Sequence, residues 1–175
     1  MIIEVVTIGE ISRRLLSDLV QKLVEIYSPL IESCVIGAAL ELPPAAYDSH
    51  RKQYRSDIIL GQIQHRITGE NRVLAIADVD LYVPTLNFVF GQAQYPGRVA
   101  LISICRLDPK FYGRPSSYEI LLGRATKEAT HELGHTFGLA HCPKPSCVMS
   151  FSNSILEVDG KSSTFCDVCR RKLRR

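Results

Sequence analysis

The spacing of three histidines constrains the fold of this chain more than any other feature. In HELGHTFGLAH, His131 and His135 lie four residues apart, which on an α-helix is about 40° of rotation and 6 Å of rise, so both side chains project from one face. On a continuous helix, His141 would lie about 280° around and 15 Å along from His131. It joins the other two only if the helix ends and the chain turns. Gly138 is placed for that turn, because glycine accepts the left-handed conformation that ends many helices.

The residue after the first histidine adds chemistry to this geometry. Glu132 lies about 100° around the helix from His131, which is a poor position for a metal ligand but allows it to reach a water bound to the metal. Zinc lowers the pKa of such a water to about 7, and a carboxylate can accept its proton as hydroxide attacks a carbonyl. We therefore predict that Glu132 is the general base beside a catalytic zinc bound by His131, His135 and His141.

Six cysteines in a chain of 175 residues require an explanation. Cys34 and Cys105 lie in apolar, strand-like runs and are expected to be buried free thiols. The other four form a C-x4-C pair and a C-x2-C pair with 18 residues between them, a pattern typical of a closed zinc site with four thiolates: Cys142, Cys147, Cys166 and Cys169. A redox-active pair in CDVC is the alternative, but such motifs begin a helix just after a strand, and that pattern is not evident here.

His141 and Cys142 are adjacent, although zinc favours both side chains. Neighbouring side chains in an extended segment point to opposite sides, so adjacent ligands are more easily given to two metals than to one. We assign His141 to the catalytic zinc and Cys142 to the structural zinc. The sequence thus predicts two zinc ions per chain, whose sites are linked by the single peptide unit between His141 and Cys142.

The rest of the chain alternates strand-like and helix-like patterns. Strands separated by helices favour a largely parallel sheet with crossover helices, whereas the short turn at 95–97 requires an antiparallel neighbour. An S-x-x-E capping box at Ser116 and Glu119 is predicted to begin the long helix that carries the first two histidines. The predicted strands span 1–9, 33–42, 72–82, 87–94 and 98–107, and the predicted helices span 12–28, 50–67 and 118–138.

Composition excludes several classes of protein. The chain is 46% hydrophobic and 22% charged, as in globular proteins, and no apolar run approaches the roughly 18–20 residues that span a bilayer. The first residues carry an acid at Glu4 and no basic lead-in, so they do not resemble a secretory signal, and we expect a cytoplasmic protein. The formal charge of +3 becomes −2 without the five basic residues of the terminal RRKLRR. Without tryptophan or interleaved aromatic and basic residues, no nucleic-acid partner is expected.

The motifs at 131–169 resemble a known family. HELGHTFGLAH followed by CVM is similar to the metzincin zinc peptidases, and the cysteines, ending in CDVC, narrow the resemblance to the archaemetzincins. The resemblance implies an α/β (α+β) fold with a twisted mixed β-sheet backed by helices and a long active-site helix. It also implies a Met-turn at Met149 beneath a catalytic zinc, and a second, cysteine-bound zinc. Some metzincins carry a tyrosine two residues after that methionine, whereas this chain has Phe151.

These features predict one metallopeptidase domain over 1–175 that acts as a monomer. Residues 1–138 are expected to form the sheet and helices up to the active-site helix. Residues 139–175 are expected to form a small zinc-stabilised C-terminal subdomain.

The predicted function is hydrolysis of peptide bonds in a peptide or protein substrate by a zinc-bound water that Glu132 assists. The resemblance also implies that the segment NFVFGQAQ offers a sheet edge over the cleft, to which an extended substrate would add as a further strand. The alternative is a zinc-stabilised peptide-binding module with little or no hydrolysis. Glu132 favours the enzyme, because binding alone does not require it.

Overall fold

The structure, a computed structural model, describes residues 1–65, 67 and 69–173. In chain order, the described residues form β1 (Ile2–Ile8), α1 (Arg13–Tyr27), β2 (Ser33–Ile36), β3 (Tyr47–Asp48), β4 (Gln53–Arg55), α2 (Ser56–Gln64), β5 (Arg72–Ala77), β6 (Leu81–Tyr82), β7 (Gly91–Ala93), β8 (Val99–Ser103), α3 (Tyr118–Thr136), α4 (Ile155–Gly160) and α5 (Asp167–Leu173).

A five-stranded mixed sheet, in the order β2-β1-β5-β8-β7, forms the centre of the molecule. The first four strands are parallel, and β7 pairs antiparallel with β8 at one edge. All five residues of β8 are buried, as expected for a strand covered on both faces. The mixed α/β sheet predicted from the sequence is confirmed.

Helices cover both faces of this sheet. Successive strand residues point to opposite sides, and the strands carry apolar residues on both. On one face, alternate residues such as Leu74 and Ile102 pack with apolar residues of α1 and α3. On the other face, Ala75 and Leu101 pack with apolar residues of α2. The cluster with α3 also contains Val148, Met149, Val158 and Phe165, so the C-terminal segment shares the core of the sheet. The active-site helix is thus held between the sheet and the C-terminal segment.

Several elements are shorter than predicted. The helix predicted over 50–67 begins only at Ser56, because Gln53–Arg55 pairs with β3 and β6 in a small second sheet. The strand predicted over 72–82 is interrupted at 78–80, where Asp80 forms an ion pair with Arg106. The strand predicted over 33–42 ends at Ile36, and that predicted over 87–94 is reduced to β7. The helix predicted to 67 ends at Gln64; residue 66 of that stretch and the last two residues of the basic tail lie outside the described residues.

The predicted capping box is wrong by one residue. Ser117, not Ser116, caps α3, and its hydroxyl accepts a hydrogen bond from the backbone N–H of Ile120. Glu119 therefore lies one position too early to complete the box. Cys34 and Cys105 are half-buried free thiols rather than fully buried ones. Over the described residues, no helix has the length and apolar character needed to cross a membrane.

Candidate active site and metal centres

The end of α3 brings the three histidines together. Gly138 has φ +84°, and the backbone N–H of Leu139 donates to the carbonyl of Gly134, which closes the helix end. The chain then turns back, so that the nitrogen ligands of all three histidines lie within 4.8 Å of one another. The turn predicted at Gly138 is confirmed. The histidine group consists of His131, His135 and His141.

Backbone carbonyls fix the tautomers of two of these rings. Nδ1 of His131 lies 2.8 Å from the carbonyl oxygen of Val148, and Nδ1 of His135 lies 2.7 Å from that of Leu139. Because a carbonyl oxygen only accepts, each Nδ1 carries the proton and each Nε2 presents a lone pair. These Nε2 atoms face each other at 3.0 Å.

Two facing lone pairs repel each other unless a cation lies between them. Tetrahedral zinc ligands at about 2.0–2.1 Å from the ion lie roughly 3.3 Å apart, close to the observed spacing. Hydrogen bonds from the opposite nitrogen to carbonyls are also the usual support of metal-bound histidines. The donor set therefore fits zinc.

Burial keeps these imidazoles neutral. It lowers the pKa of all three histidines, most strongly that of His131, and the nearby Lys161 ammonium lowers each pKa further. Neutral imidazole is the form that binds a metal, so these shifts favour metal binding.

Glu132 lies beside the histidines in the wall of a cleft of about 420 Å³. Its side chain occupies the space left by Gly91 on β7, where an added Cβ would lie 2.7 Å from Cγ of Glu132. Burial raises the pKa of Glu132, Glu128 raises it further, and Lys161 opposes the rise. The cleft wall thus carries a carboxyl group whose pKa is raised. The sequence alone did not reveal that Gly91 leaves the space for it.

Aromatic rings flank the histidines. The Tyr95 ring lies edge-on to His135, with centroids 5.9 Å apart, and Phe151 lies 5.2 Å from His141. Both line the cleft, and both are more than half exposed. The missing phenol at Phe151 is evident from the sequence, whereas the position of Tyr95 is not, because nothing in the linear pattern relates Tyr95 to His135.

Met149 lies beneath the histidines, fully buried. Gly134 makes room for it: a Cβ at Gly134 would lie 2.4 Å from the Met149 sulfur and 3.3 Å from the Phe165 ring. Gly134, the glycine of HELGH, thus leaves the space in which Met149 packs.

Gly134→Ala is expected to lower the free energy of unfolding by roughly 1–3 kcal/mol, the usual penalty of overpacking. Urea denaturation checks this, with Gly123→Ala as the control on α3, since a Cβ there meets nothing within 4 Å. Equal stability of the two variants would contradict this packing role.

The four C-terminal cysteines form a second group. Their sulfur atoms lie within 4.8 Å of one another, and all four are free thiols. Sγ of Cys142 and Sγ of Cys166 are 3.8 Å apart, the roughly 3.8 Å expected for tetrahedral thiolates at about 2.3 Å from zinc. A backbone hydrogen bond from Cys169 lowers the pKa of Cys166 to about 7, whereas burial raises the pKa of Cys147 and that of Cys169. This donor set also fits zinc.

One short segment, Cys147–Met149, touches both groups. Cys147 belongs to the cysteine group, and the Val148 carbonyl accepts the hydrogen bond from His131. The Met149 carbonyl accepts a 2.8 Å hydrogen bond from the backbone of Cys142. His141 and Cys142 fall into different groups of possible metal ligands.

A helix with H-E-x-x-H, a third histidine from the following turn and an adjacent cleft is the arrangement of zinc metallopeptidases. The fold and the site therefore indicate a zinc metallopeptidase. Comparison with known proteins then specifies the family.

The profile of peptidase family M54 matches residues 45–175. The chain is 42% identical over 167 residues to archaemetzincin of Methanocaldococcus jannaschii, covering 95% of this chain and 89% of that one. A crystal structure of archaemetzincin from Methanopyrus kandleri superposes with a TM-score of 0.84 at 41% identity, covering 99% and 96% of the two chains. A zinc-dependent peptidase from Methanocorpusculum labreanum gives 0.88 at 26% identity, covering 98% and 99%.

The chain belongs to peptidase family M54, the archaemetzincins. It is therefore a zinc metallopeptidase that acts on peptides or proteins, and the predicted resemblance is confirmed. Membership favours the enzyme over the peptide-binding module.

Proposed function

We propose that this peptidase hydrolyses peptide bonds with Glu132 as general base beside a zinc ion held by His131, His135 and His141. The observation that carries the proposal is the facing pair of unprotonated Nε2 atoms beside a cleft-lining carboxylate. When bound, zinc supplies a Lewis acid that polarises the substrate carbonyl and makes water more acidic. Glu132 accepts a proton from the attacking water and delivers it to the leaving amine.

A peptide-library digest by the zinc-loaded protein tests this function. Cleavage products that appear with the parent protein and are lost with E132A support it. If the parent gives no products over any part of the library, the proposed hydrolysis fails.

We also propose a second, structural zinc bound by four thiolates, which makes two zinc ions per chain. The support is the 3.8 Å sulfur spacing and the absence of any disulfide among the six cysteines, all of which lie in the described part of the chain. The ligands are Cys142, Cys147, Cys166 and Cys169. A closed site of this kind contributes folding free energy.

We propose one domain over 1–175, with the C-terminal part from 139 as its zinc-stabilised subdomain. The core shared by the sheet, α3 and the C-terminal segment supports this organisation. The monomeric state and the cytoplasmic location stay predictions.

Substrate docking follows from the position of β7. Phe90 accepts a backbone hydrogen bond from Ser103, and Gln94 donates one to Val99, so the main-chain groups of Gly91 and Ala93 face away from β8 by the alternation of an antiparallel ladder. Because β7 is the edge strand and lines the cleft, we propose that an extended substrate adds to it as a further strand.

Backbone methylation of a competing peptide is expected to weaken its binding about tenfold or more, because each removed N–H loses a hydrogen bond to the edge strand. Competition against hydrolysis of a fluorogenic peptide measures the effect. A peptide methylated only outside the bound stretch is the control. Equal competition by methylated and plain peptides would count against docking at β7.

A further inference from the structure

One wall of the cleft is an irregular loop over residues 83–90, which follows β6. The loop contributes apolar side chains to the cleft from Val83, Leu86, Phe88, Val89 and Phe90. All residues of the loop are described, and apart from one β-bridge between Leu81 and Val89 they form no regular secondary structure. Irregular segments are generally more mobile than strands and helices, so the shape of this wall depends on the side chains that hold it.

Two polar side chains hold the backbone at the middle of the loop. Nη2 of Arg51 donates to the carbonyls of Leu86 and Asn87, at 3.1 and 2.9 Å. Nε2 of Gln53 donates to the same Asn87 carbonyl and to the carboxylate of Asp80, both at 3.0 Å. The small second sheet, which contains Gln53, therefore supports the cleft wall.

Arg106 holds an aromatic ring of the same loop. Its Nε and Nη2 donate to the two carboxylate oxygens of Asp80 at 2.6 and 2.7 Å, and these two bonds fix the plane of the guanidinium. The guanidinium carbon lies over the Phe88 ring, 4.2 Å from its centroid. The Phe88 ring also lies edge-on to the buried Phe90, with centroids 5.2 Å apart. Phe88 lines the cleft, whereas Arg106 is not among the described residues that line it.

We propose that Arg106 is a positioning residue for substrate selection, which holds the Phe88 ring as the surface against which a large apolar side chain of the substrate packs. Packing against this ring removes apolar area from water, which favours binding. A ring that is already held loses little rotamer freedom when the substrate binds, whereas a released ring has to be ordered at that moment. A side chain as short as alanine gains little from the ring in either state. The proposal rests on the proposed function only in that a peptide occupies the cleft.

The test uses binding, so that it does not depend on hydrolysis. The zinc-loaded E132A protein is titrated calorimetrically with peptides in which one position at a time carries phenylalanine, leucine or alanine. At one position, the phenylalanine peptide is expected to bind about tenfold or more tightly than the alanine peptide. The ratio of these two affinities is the quantity that variants of Arg106 are expected to change.

Arg106→Met combined with Asp80→Asn removes the ion pair without leaving a lone charge, and the asparagine oxygen can still accept from Gln53. In the E132A background, this double variant is expected to lower the ratio about threefold or more, by weakening binding of the phenylalanine peptide alone. In the protein that retains Glu132, the same change should raise KM for the phenylalanine peptide more than it alters kcat. Melting curves and zinc content verify that the variant is folded.

A second arginine provides the matched control. Its guanidinium carbon lies 4.1 Å from the centroid of the Tyr118 ring, and Nε of Arg14 lies 3.9 Å from Asp18. None of these three residues is among the described residues that line the cleft. Arg14→Met combined with Asp18→Asn is therefore expected to keep the ratio of the E132A protein.

The conservative variant Arg106→Lys separates charge from geometry. The lysine ammonium keeps a positive charge beside Asp80 and the Phe88 ring, but it cannot form the planar two-bonded contact. Its ratio is expected to lie between those of the E132A protein and of the double variant.

Three results overturn the assignment: equal binding of the three peptides at every position, an unchanged ratio in a folded variant of Arg106, or an equal loss in the Arg14 control. If the double variant does not fold, Arg106→Lys decides, because a lowered ratio supports the role and an unchanged one refutes it. Failure of the proposed function is separate, since it appears as absence of cleavage by the parent protein even where E132A binds the apolar peptides selectively.

Discussion

Replacing Glu132 by alanine is expected to lower kcat by roughly 10²–10⁴-fold, the contribution usual for a positioned general base. The side chain lies in the cleft wall beside the histidines and fills the space over Gly91. Its removal leaves the three imidazoles and their carbonyl partners in place, so E132A should retain its metals. Single-turnover kinetics on a cleavable peptide, with zinc content by mass spectrometry, measure both quantities.

Glu119→Ala provides the matched control. Glu119 is exposed in the first turn of α3, on the same helix and of the same residue type, but it is not among the residues that line the cleft. Its loss is expected to leave kcat close to that of the parent. If E132A cleaves as fast as E119A, the assignment of the base is wrong.

The second large effect is a difference between substitutions at two adjacent residues, His141 and Cys142. H141A is expected to weaken binding of the catalytic zinc and abolish activity. It is expected to lower the melting temperature only slightly, because His141 is exposed and contributes little to the core. C142A is expected to remove the structural zinc and loosen residues 142–169. Structural zinc contributes a large part of folding free energy, and a loss of even about 4 kcal/mol lowers the melting temperature by roughly 8–16 °C.

C142A should also disturb the catalytic zinc indirectly. The backbone N–H of Cys142 donates a hydrogen bond to the Met149 carbonyl, and the carbonyl of the preceding residue, Val148, orients His131. Metal content and thermal melting of both variants decide the matter, with Cys34→Ala as the control at a free, half-buried thiol outside the cysteine group. A C142A protein that keeps two tightly bound zinc ions and melts like the parent would refute the two-metal assignment.

The features predicted well from the sequence are those with strong local signals. The apolar spacing of α1, with Leu16, Leu19 and Leu23 on one buried face, located that helix within a residue. The histidine spacing and Gly138 together predicted the helix end, because the geometry of a helix leaves no other way to bring His141 to the other two.

What the sequence could not reveal depends on contacts between distant segments. The small sheet is built from strands of two and three residues, too short for any periodicity. Lys161 is charged and follows a glycine, so it resembles an exposed turn residue. Its complete burial becomes evident only when α3 places Glu128 against it. Tyr95, which follows β7, contacts His135 although the two residues lie 40 positions apart in the sequence.

The three-residue segment Cys147–Met149 has a thermodynamic consequence. With a metal at each group, ordering of the segment by the thiolates also orders the carbonyl that holds His131, so each ion raises the affinity for the other. Linkage requires this factor to be the same in both directions. If both groups hold zinc as proposed, loss of the ion from either group is therefore expected to weaken zinc binding at the other.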